Sequence, residues 1–136
     1  MDSDQARSRL TRILSDLTDP LVPIASVLAH FSPGYQQWVD GRSLDYEGFA
    51  RHVAALKADL AAGAVHFDQV LAAGRNAASV HRAEVRLRDG RCVQLKVLAF
   101  FEFEHDSEDA RLLRVEELTN LLEGEVVDRD LGSRTL

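Results

Sequence analysis

Apolar positions recur at helical spacing in the first part of the chain, and two helices are predicted there. The first covers residues 4–18, and Asp2, Ser3 or Asp4 could cap its start. The second covers residues 44–60, with Ser43 or Asp45 as its N-cap and Gly63 in the place of a C-terminal glycine cap. The apolar stripes are formed by Ala6, Leu10, Ile13, Leu14 and Leu17 in the first helix and by Phe49, Val53, Leu56 and Leu60 in the second.

Strands are predicted in the rest of the chain. Residues 35–39 indicate a short strand before an Asp40-Gly41 turn, and from residue 65 onward apolar and polar positions alternate. The alternation predicts strands at 65–72, 77–88, 91–104 and 111–122, joined by turn signals at 74–76, at Asp89-Gly90 and in the acidic loop 106–109. Helices followed by a meander predict an α+β fold, with the helices packed on one face of a strongly bent antiparallel sheet.

The alternation also predicts which side chains face the helices. In the strand 91–104 the odd positions are all apolar and include Phe101, which places them inward. Leu98 and Phe100 then lie together on the outer face, where an apolar pair often marks an oligomer interface. The alternative is that the tail, residues 123–136, covers this pair.

Two ionisable side chains fall on the inward face. His81 is the polar member of the inward set of 77–88, and Glu117 belongs to the more apolar set of 111–122. An imidazole and a carboxyl group on an apolar concave face could act as general acid and base. The alternative is a structural pair that holds the sheet together. Tyr35, Trp38 and His52 are further candidates for the wall of a ligand pocket, since each combines apolar area with a polar tip.

Composition narrows the possible partners and location. The 136 residues are 46% hydrophobic and 28% charged, as expected for one globular domain, and the net charge is -6. An acidic chain argues against nucleic acid or an anionic membrane as the main partner. The chain has no apolar run long enough for a membrane span and no signal-peptide core, and its one cysteine, Cys92, fits a cytoplasmic protein.

No motif for a metal or another cofactor is present. His30, His66 and His105 lie in different elements without ligand spacing, and no glycine-rich phosphate loop is found. The sequence therefore predicts no metal site and no cofactor.

Several stretches resemble the nuclear-transport-factor-2-like superfamily, in its SnoaL-like, polyketide-cyclase branch of uncharacterised bacterial proteins. They are residues 31–41 (FSPGYQQWVDG), the helix with Phe49 and His52, the closing strand 114–124 (RVEELTNLLEG) and the tail 128–134 (DRDLGSR). The resemblance covers nearly the whole chain but includes no diagnostic catalytic motif.

The resemblance implies a single cone-shaped domain over residues 1–136, with residues 125–136 as a C-terminal tail. In this family a curved sheet wraps around helices, a cavity lies in the mouth of the cone, and dimers form through the outer sheet face. The isomerases of the superfamily have an aspartate base on the early strand, near Tyr35 and Gln36 of this chain. No carboxylate lies there, and Asp40 falls in the next turn, which argues against that isomerase activity.

Three functional hypotheses follow. The preferred one is a homodimeric domain that binds a small, mainly apolar molecule, in a cavity of roughly 300 Å³ or more. The second is a cofactor-independent cyclase, isomerase or dehydratase with His81 and Glu117 as acid and base. The third is a non-catalytic dimeric interaction module whose cone is filled by its own side chains, such as Tyr35, Trp38 and Phe101.

Overall fold

The computed structural model describes residues 1–135, and its helices confirm the helical part of the prediction. Helix α1 spans Ser3–Thr18, and its N-cap Asp2 forms a reciprocal capping box with Gln5. After the short helix α2, Ile24–Leu28, helix α3 spans Tyr46–Asp59 with Asp45 as its N-cap.

Six strands form one curved sheet. The strands are β1 (Phe31–Val39), β2 (Arg42–Leu44), β3 (Leu60–Ala73), β4 (Asn76–Leu87), β5 (Cys92–Phe103) and β6 (Leu112–Glu123), in the spatial order β2-β1-β6-β5-β4-β3. The last four form the predicted antiparallel meander. However, β1 pairs with β6 in parallel, so the α+β sheet is mixed and not wholly antiparallel. This pairing brings the early strand beside Glu117.

Gly63 does not cap a helix, contrary to the prediction. Helix α3 ends at Asp59 and the chain continues directly as β3, with Leu60 already extended. Gly63 lies within β3, where a Cβ atom would come within 2.5 Å of the carbonyl oxygen of Thr18. Glycine is required here because the end of α1 packs directly on the strand backbone.

The predicted facing of the strands is confirmed along β4 and β5. All six odd positions of β5 from Val93 to Phe103 are buried, and the inward set of β4 is buried except for the partly buried Ala83. At the start of β6 the prediction is wrong, since Leu112 is buried in place of Leu113. A bulge shifts the β5–β6 register between Glu102 and Phe103 there, and alternation alone does not reveal such a shift.

The helices lie on the concave side of the sheet and form the core with it. Leu10 and Ile13 of α1, together with Val53 and Leu56 of α3, are buried in the same apolar cluster as the inward positions of the strands. Within residues 1–135, none of the helices is both long and apolar enough to cross a membrane.

Candidate functional site

A small cavity lies inside the cone, between the helices and the concave face of the sheet. Its volume is about 90 Å³, enough for a few water molecules but well below the roughly 300 Å³ that ligand sites begin at. Apolar side chains form most of its wall, and the polar groups along it come from Thr18, Tyr35, Gln37, His52, His81, Glu117 and Thr119. No lysine or arginine of the described chain lines the cavity.

Glu117, on β6, is the acidic group of the cavity. Protein surrounds the side chain, which keeps some accessible surface because it borders the cavity. Burial and, secondly, the negative charge of nearby Asp40 raise the pKa of the carboxyl group from 4.5 to about 7. Within residues 1–135 no hydrogen bond to this carboxyl group contributes to its pKa. Glu117 therefore changes its protonation state near neutral pH and can form hydrogen bonds with a molecule in the cavity.

His81, on β4, is a buried and neutral imidazole. Its Nδ1 atom lies 2.8 Å from the hydroxyl oxygen of Ser79, two residues earlier on the same face. Burial lowers the pKa of His81 to about 4, although the negative charge of Asp68 opposes this shift. At neutral pH the ring has no charge, and it lines the cavity. The rings of Phe67 and Phe101 are its aromatic neighbours.

The structure places His81 and Glu117 on the same cavity but does not pair them. Strand β5 lies between them, so two strand spacings, roughly 10 Å, separate their backbones across the sheet. They are also offset along the strands, since His81 aligns with Thr119, through Val97, and not with Glu117. The two side chains therefore reach the cavity from the same concave face at positions two strands apart.

His52 and Gln37 are two cavity side chains that donate hydrogen bonds to the C-terminal segment. His52, on α3, donates from Nδ1 to the carbonyl oxygen of Arg134 over 2.8 Å, and burial lowers the pKa of the ring to about 4. Gln37, on β1, accepts a hydrogen bond from the Tyr35 hydroxyl and donates from Nε2 to the carbonyl oxygen of Gly132 over 3.3 Å. Gln37 was not among the predicted pocket residues, although it lies two residues after Tyr35 and therefore on the same face.

Trp38 is not part of the cavity wall, unlike the other predicted pocket residues Tyr35, His52 and Phe101. Adjacent positions of a strand point to opposite faces, so the inward orientation of Gln37 turns Trp38 outward. On the outer face the guanidinium carbon of Arg114 lies 5.2 Å from the centre of the Trp38 ring. The prediction that Tyr35 and Trp38 share one wall is therefore wrong, because residues three apart on a strand point to opposite faces.

The outer, convex face of the sheet has an exposed apolar patch. Leu98 and Phe100 are 51% and 48% exposed, and Leu118, which is paired with Leu98, is 65% exposed. Val80 on β4 extends the row on the other side of Leu98. We refer to Val80, Leu98, Phe100 and Leu118 as the convex patch.

The described part of the chain contains no group of three histidine, cysteine, aspartate or glutamate side chains that could hold a metal ion. Cys92 is exposed and unpaired.

A comparison with protein-family models finds no match for this chain. A comparison with curated proteins finds the uncharacterised protein C11D3.04c of Schizosaccharomyces pombe. The two are 34% identical over 131 residues, which cover 96% of this chain and 98% of the yeast protein.

Solved structures with very different sequences share the fold. One is an NTF2-like protein of unknown function from Exiguobacterium, with a TM-score of 0.66 and 9% identity over 84% of this chain and 97% of that one. Another is the pinacolase BvnE from Penicillium brevicompactum, with a TM-score of 0.68 and 12% identity over 84% and 82%. At these identities the likeness shows the fold alone.

Proposed function

The chain belongs to the same family as the fission-yeast protein C11D3.04c and has the NTF2-like cone fold, and from this premise we propose that it binds a small, uncharged, mainly apolar molecule in the cavity. The observation that carries this proposal is the carboxyl group of Glu117, which borders a mainly apolar cavity and has no hydrogen-bond partner within residues 1–135. A ligand in the cavity can form hydrogen bonds with this group.

The electrostatics of the cavity favour an uncharged ligand. Its two histidines are neutral at physiological pH, and no lysine or arginine of the described residues reaches its wall. A carboxylate ligand would lose its hydration without gaining a cation, and above pH 7 it would also face the ionised Glu117. A ligand with a hydroxyl or carbonyl group avoids both costs.

The test uses prodan, an uncharged naphthalene ketone whose fluorescence reports a dry environment. Two alanines of β4 provide a matched pair, because Ala83 lines the cavity and Ala78 is exposed on the convex face. We expect Ala83→Leu to weaken prodan binding about tenfold or more by filling the cavity, and Ala78→Leu to leave it unchanged. Equal effects of the two substitutions would contradict binding in the cone, and tighter binding of a carboxylate analogue of prodan would contradict the ligand class.

A second candidate function is cofactor-independent acid–base catalysis, in keeping with the SnoaL-like branch. It is supported by the pKa of Glu117, since a carboxyl group that titrates near 7 can both take up and release a proton at neutral pH. The ionised carboxylate would remove a proton from the α-carbon of an enolisable ketone and later return a proton to that carbon. His81 would lie on the other side of the substrate, with Nε2 as an uncharged hydrogen-bonding group.

Deuterium exchange tests this candidate directly. The protein is incubated with tetralone in deuterium oxide, and loss of the α-proton signal is followed by NMR. We expect Glu117→Gln to slow the exchange about a hundredfold or more, with the fold retained, because general-base catalysis contributes factors of that size. An exchange rate equal to that without protein would remove the catalytic candidate and leave the binding proposal in place.

We also propose that the chain forms homodimers through the convex patch. Its members are apolar, Leu98, Phe100 and Leu118 are exposed and Val80 is partly buried, and charged residues such as Lys96 and Glu116 lie beside them. Phe100→Glu would place a carboxylate in the contact, and we expect it to produce monomers in sedimentation experiments at micromolar concentration. A wild-type protein that is monomeric under the same conditions would contradict the dimer.

An exposed, unpaired Cys92 favours a reducing compartment such as the cytoplasm.

A further inference from the structure

The end of the chain closes the cone. We refer to residues 125–135 as the C-terminal lid. After a turn of 3-10 helix at Val126–Asp130, Leu131 is buried in the core cluster, and both Leu131 and Gly132 line the cavity. A Cβ atom on Gly132 would lie 3.9 Å from a carboxyl oxygen of Glu117. The lid therefore lies directly over the acidic group of the cavity.

The lid is held mainly by ion pairs. The Asp128 carboxylate is 1% exposed and accepts hydrogen bonds from Nη1 of Arg91, at 3.0 and 2.9 Å, and from Nη2 of Arg134, at 3.3 Å. Of its three aliphatic side chains only Leu131 is buried, whereas Val126 and Val127 are 76% and 66% exposed. A segment with so little buried apolar surface can detach while the sheet remains folded.

Two cavity side chains donate hydrogen bonds to the backbone of the lid. Gln37 donates to the carbonyl oxygen of Gly132 and His52 donates to that of Arg134. If the lid moved away, both buried donors would lose their acceptors. Water or the oxygen atoms of a ligand would then have to replace them.

We propose that the C-terminal lid is displaced when a ligand binds, and that Gln37 and His52 then donate to carbonyl or ether oxygens of the ligand. In the closed state the carbonyl oxygens of Gly132 and Arg134 occupy the positions of these ligand oxygens. This inference rests on the proposed binding function, because the same cavity holds the ligand. It also accounts for a closed cavity too small for most ligands, since removal of Leu131 and Gly132 from the wall enlarges it.

The first experiment loosens the lid in the full-length protein. Arg91→Ala and Asp128→Asn each remove part of the buried ion-pair cluster. Glu104→Gln is the control, because it weakens a more exposed arginine–carboxylate pair, with Arg111, near the other end of β5. We expect the two lid variants to bind prodan about tenfold more tightly than the wild type, because less free energy is needed to reach the open state. Glu104→Gln should leave the affinity unchanged.

The second experiment tests the two donors in the Asp128→Asn background. Gln37→Leu and His52→Phe each remove one donor and keep the approximate size of the side chain. We expect each to weaken prodan binding several-fold and to leave unchanged the binding of the same dimethylaminonaphthalene without its ketone. Using two variants keeps the test valid if one of them fails to fold.

Hydrogen exchange separates the possible outcomes. In the wild-type protein, prodan should speed exchange of the Leu131, Ser133 and Arg134 amides, which form hydrogen bonds within the closed lid, while strand amides are unchanged. The lid inference would be overturned if prodan bound but slowed exchange of the lid amides. It would also be overturned if the lid variants and the wild type bound prodan with equal affinity. Either result would leave the binding proposal intact. No binding of prodan to any variant, including those with a loosened lid, would contradict both.

Discussion

The concave and convex faces of strands β4, β5 and β6 are built from alternating residues of the same segments, yet they differ in chemistry. The concave face combines buried apolar side chains with a few polar groups, of which Glu117 and His81 have strongly shifted pKa values. The convex face has exposed charges around an apolar patch that includes Leu98 and Phe100. On the concave face a polar group is costly unless it has a partner, whereas on the convex face water supplies one.

One strand therefore presents two chemically different surfaces. Adjacent residues are the most informative pairs, since they share backbone and sequence context and differ mainly in the face to which they point. Substitutions of an inward and an outward residue of the same strand therefore test the difference between the faces, with the outward residue as the control.

The largest difference in the free energy of unfolding is expected between alanine variants of Phe101 and Phe100. Phe101 is 0% exposed and Phe100 is 48% exposed. We expect Phe101→Ala to lower the free energy of unfolding by about 3–5 kcal/mol, because it leaves a cavity in the core. Phe100→Ala should change the free energy of unfolding of the monomer by less than about 0.5 kcal/mol. Urea denaturation at low protein concentration measures both, and similar losses would contradict the assignment of the two faces.

A smaller, pH-dependent difference is expected between Glu117 and Glu116. Because the pKa of Glu117 is raised in the folded state, the folded protein holds an extra proton between about pH 4.5 and 7, and stability falls as the pH rises through this range. Glu117→Gln mimics the protonated form, so we expect it to raise the free energy of unfolding by up to about 3 kcal/mol near pH 8. The gain should vanish below about pH 4.5, where Glu117 is protonated in both states.

The matched control for this prediction is Glu116→Gln, because Glu116 is exposed on the convex face. It should change stability by less than about 0.5 kcal/mol. The effect of His52 and His81 on stability has the opposite pH dependence to that of Glu117. Their lowered pKa values make the folded state less stable as the pH falls from about 6.5 to 4. Their contribution is shared by wild type and both variants and cancels in the comparison. A gain in Glu117→Gln that does not depend on pH would show that desolvation is not its cause.

The smallest difference is expected on β1, between Tyr35 and Trp38. Tyr35→Phe removes the hydroxyl group that donates to Gln37, and we expect a loss of about 1–2 kcal/mol because a buried acceptor is left without its donor. Trp38→Leu removes the contact with Arg114 on the outer face, which is worth about 0.5 kcal/mol at an exposed site. Thermal unfolding of both variants provides the measurement. A larger loss for Trp38→Leu would mean that the outer face contributes more to packing than its exposure suggests.

The sequence predicted the two long helices and the four strands of the meander because each has a regular apolar period, and the inward positions of β5 follow directly from alternation. It did not predict the short helix α2 or the short strand β2. It did not reveal the parallel pairing of β1 with β6, since neighbours across a sheet are set by long-range packing and not by local periodicity. The role of Gly63 was missed for a related reason. A glycine after a helix has the same local pattern whether it caps the helix or allows close contact with another segment.

The candidate site was predicted in part. Alternation placed His81 and Glu117 on one face, but their separation by β5 depends on strand order, which the sequence does not encode locally. Gln37 could have been found by extending the alternation from Tyr35 along β1. The position of residues 131 and 132 on the cavity wall could not have been predicted in this way. It depends on an ion pair between Asp128 and Arg91, which is distant in sequence.

Glu117 has no hydrogen-bond partner within residues 1–135 and borders mainly apolar side chains in the cavity of the concave face, and we propose that a ligand supplies the partner. The most direct test is a pH titration of the Glu117 side-chain carboxyl carbon by carbon-13 NMR, assigned by comparison with Glu117→Gln. Because the carboxyl group is buried, we expect a midpoint near 7, which should shift when an uncharged hydrogen-bonding ligand such as prodan is added. A midpoint near the ordinary value of 4.5 would show that the carboxyl group is hydrated and would overturn the proposed role of Glu117.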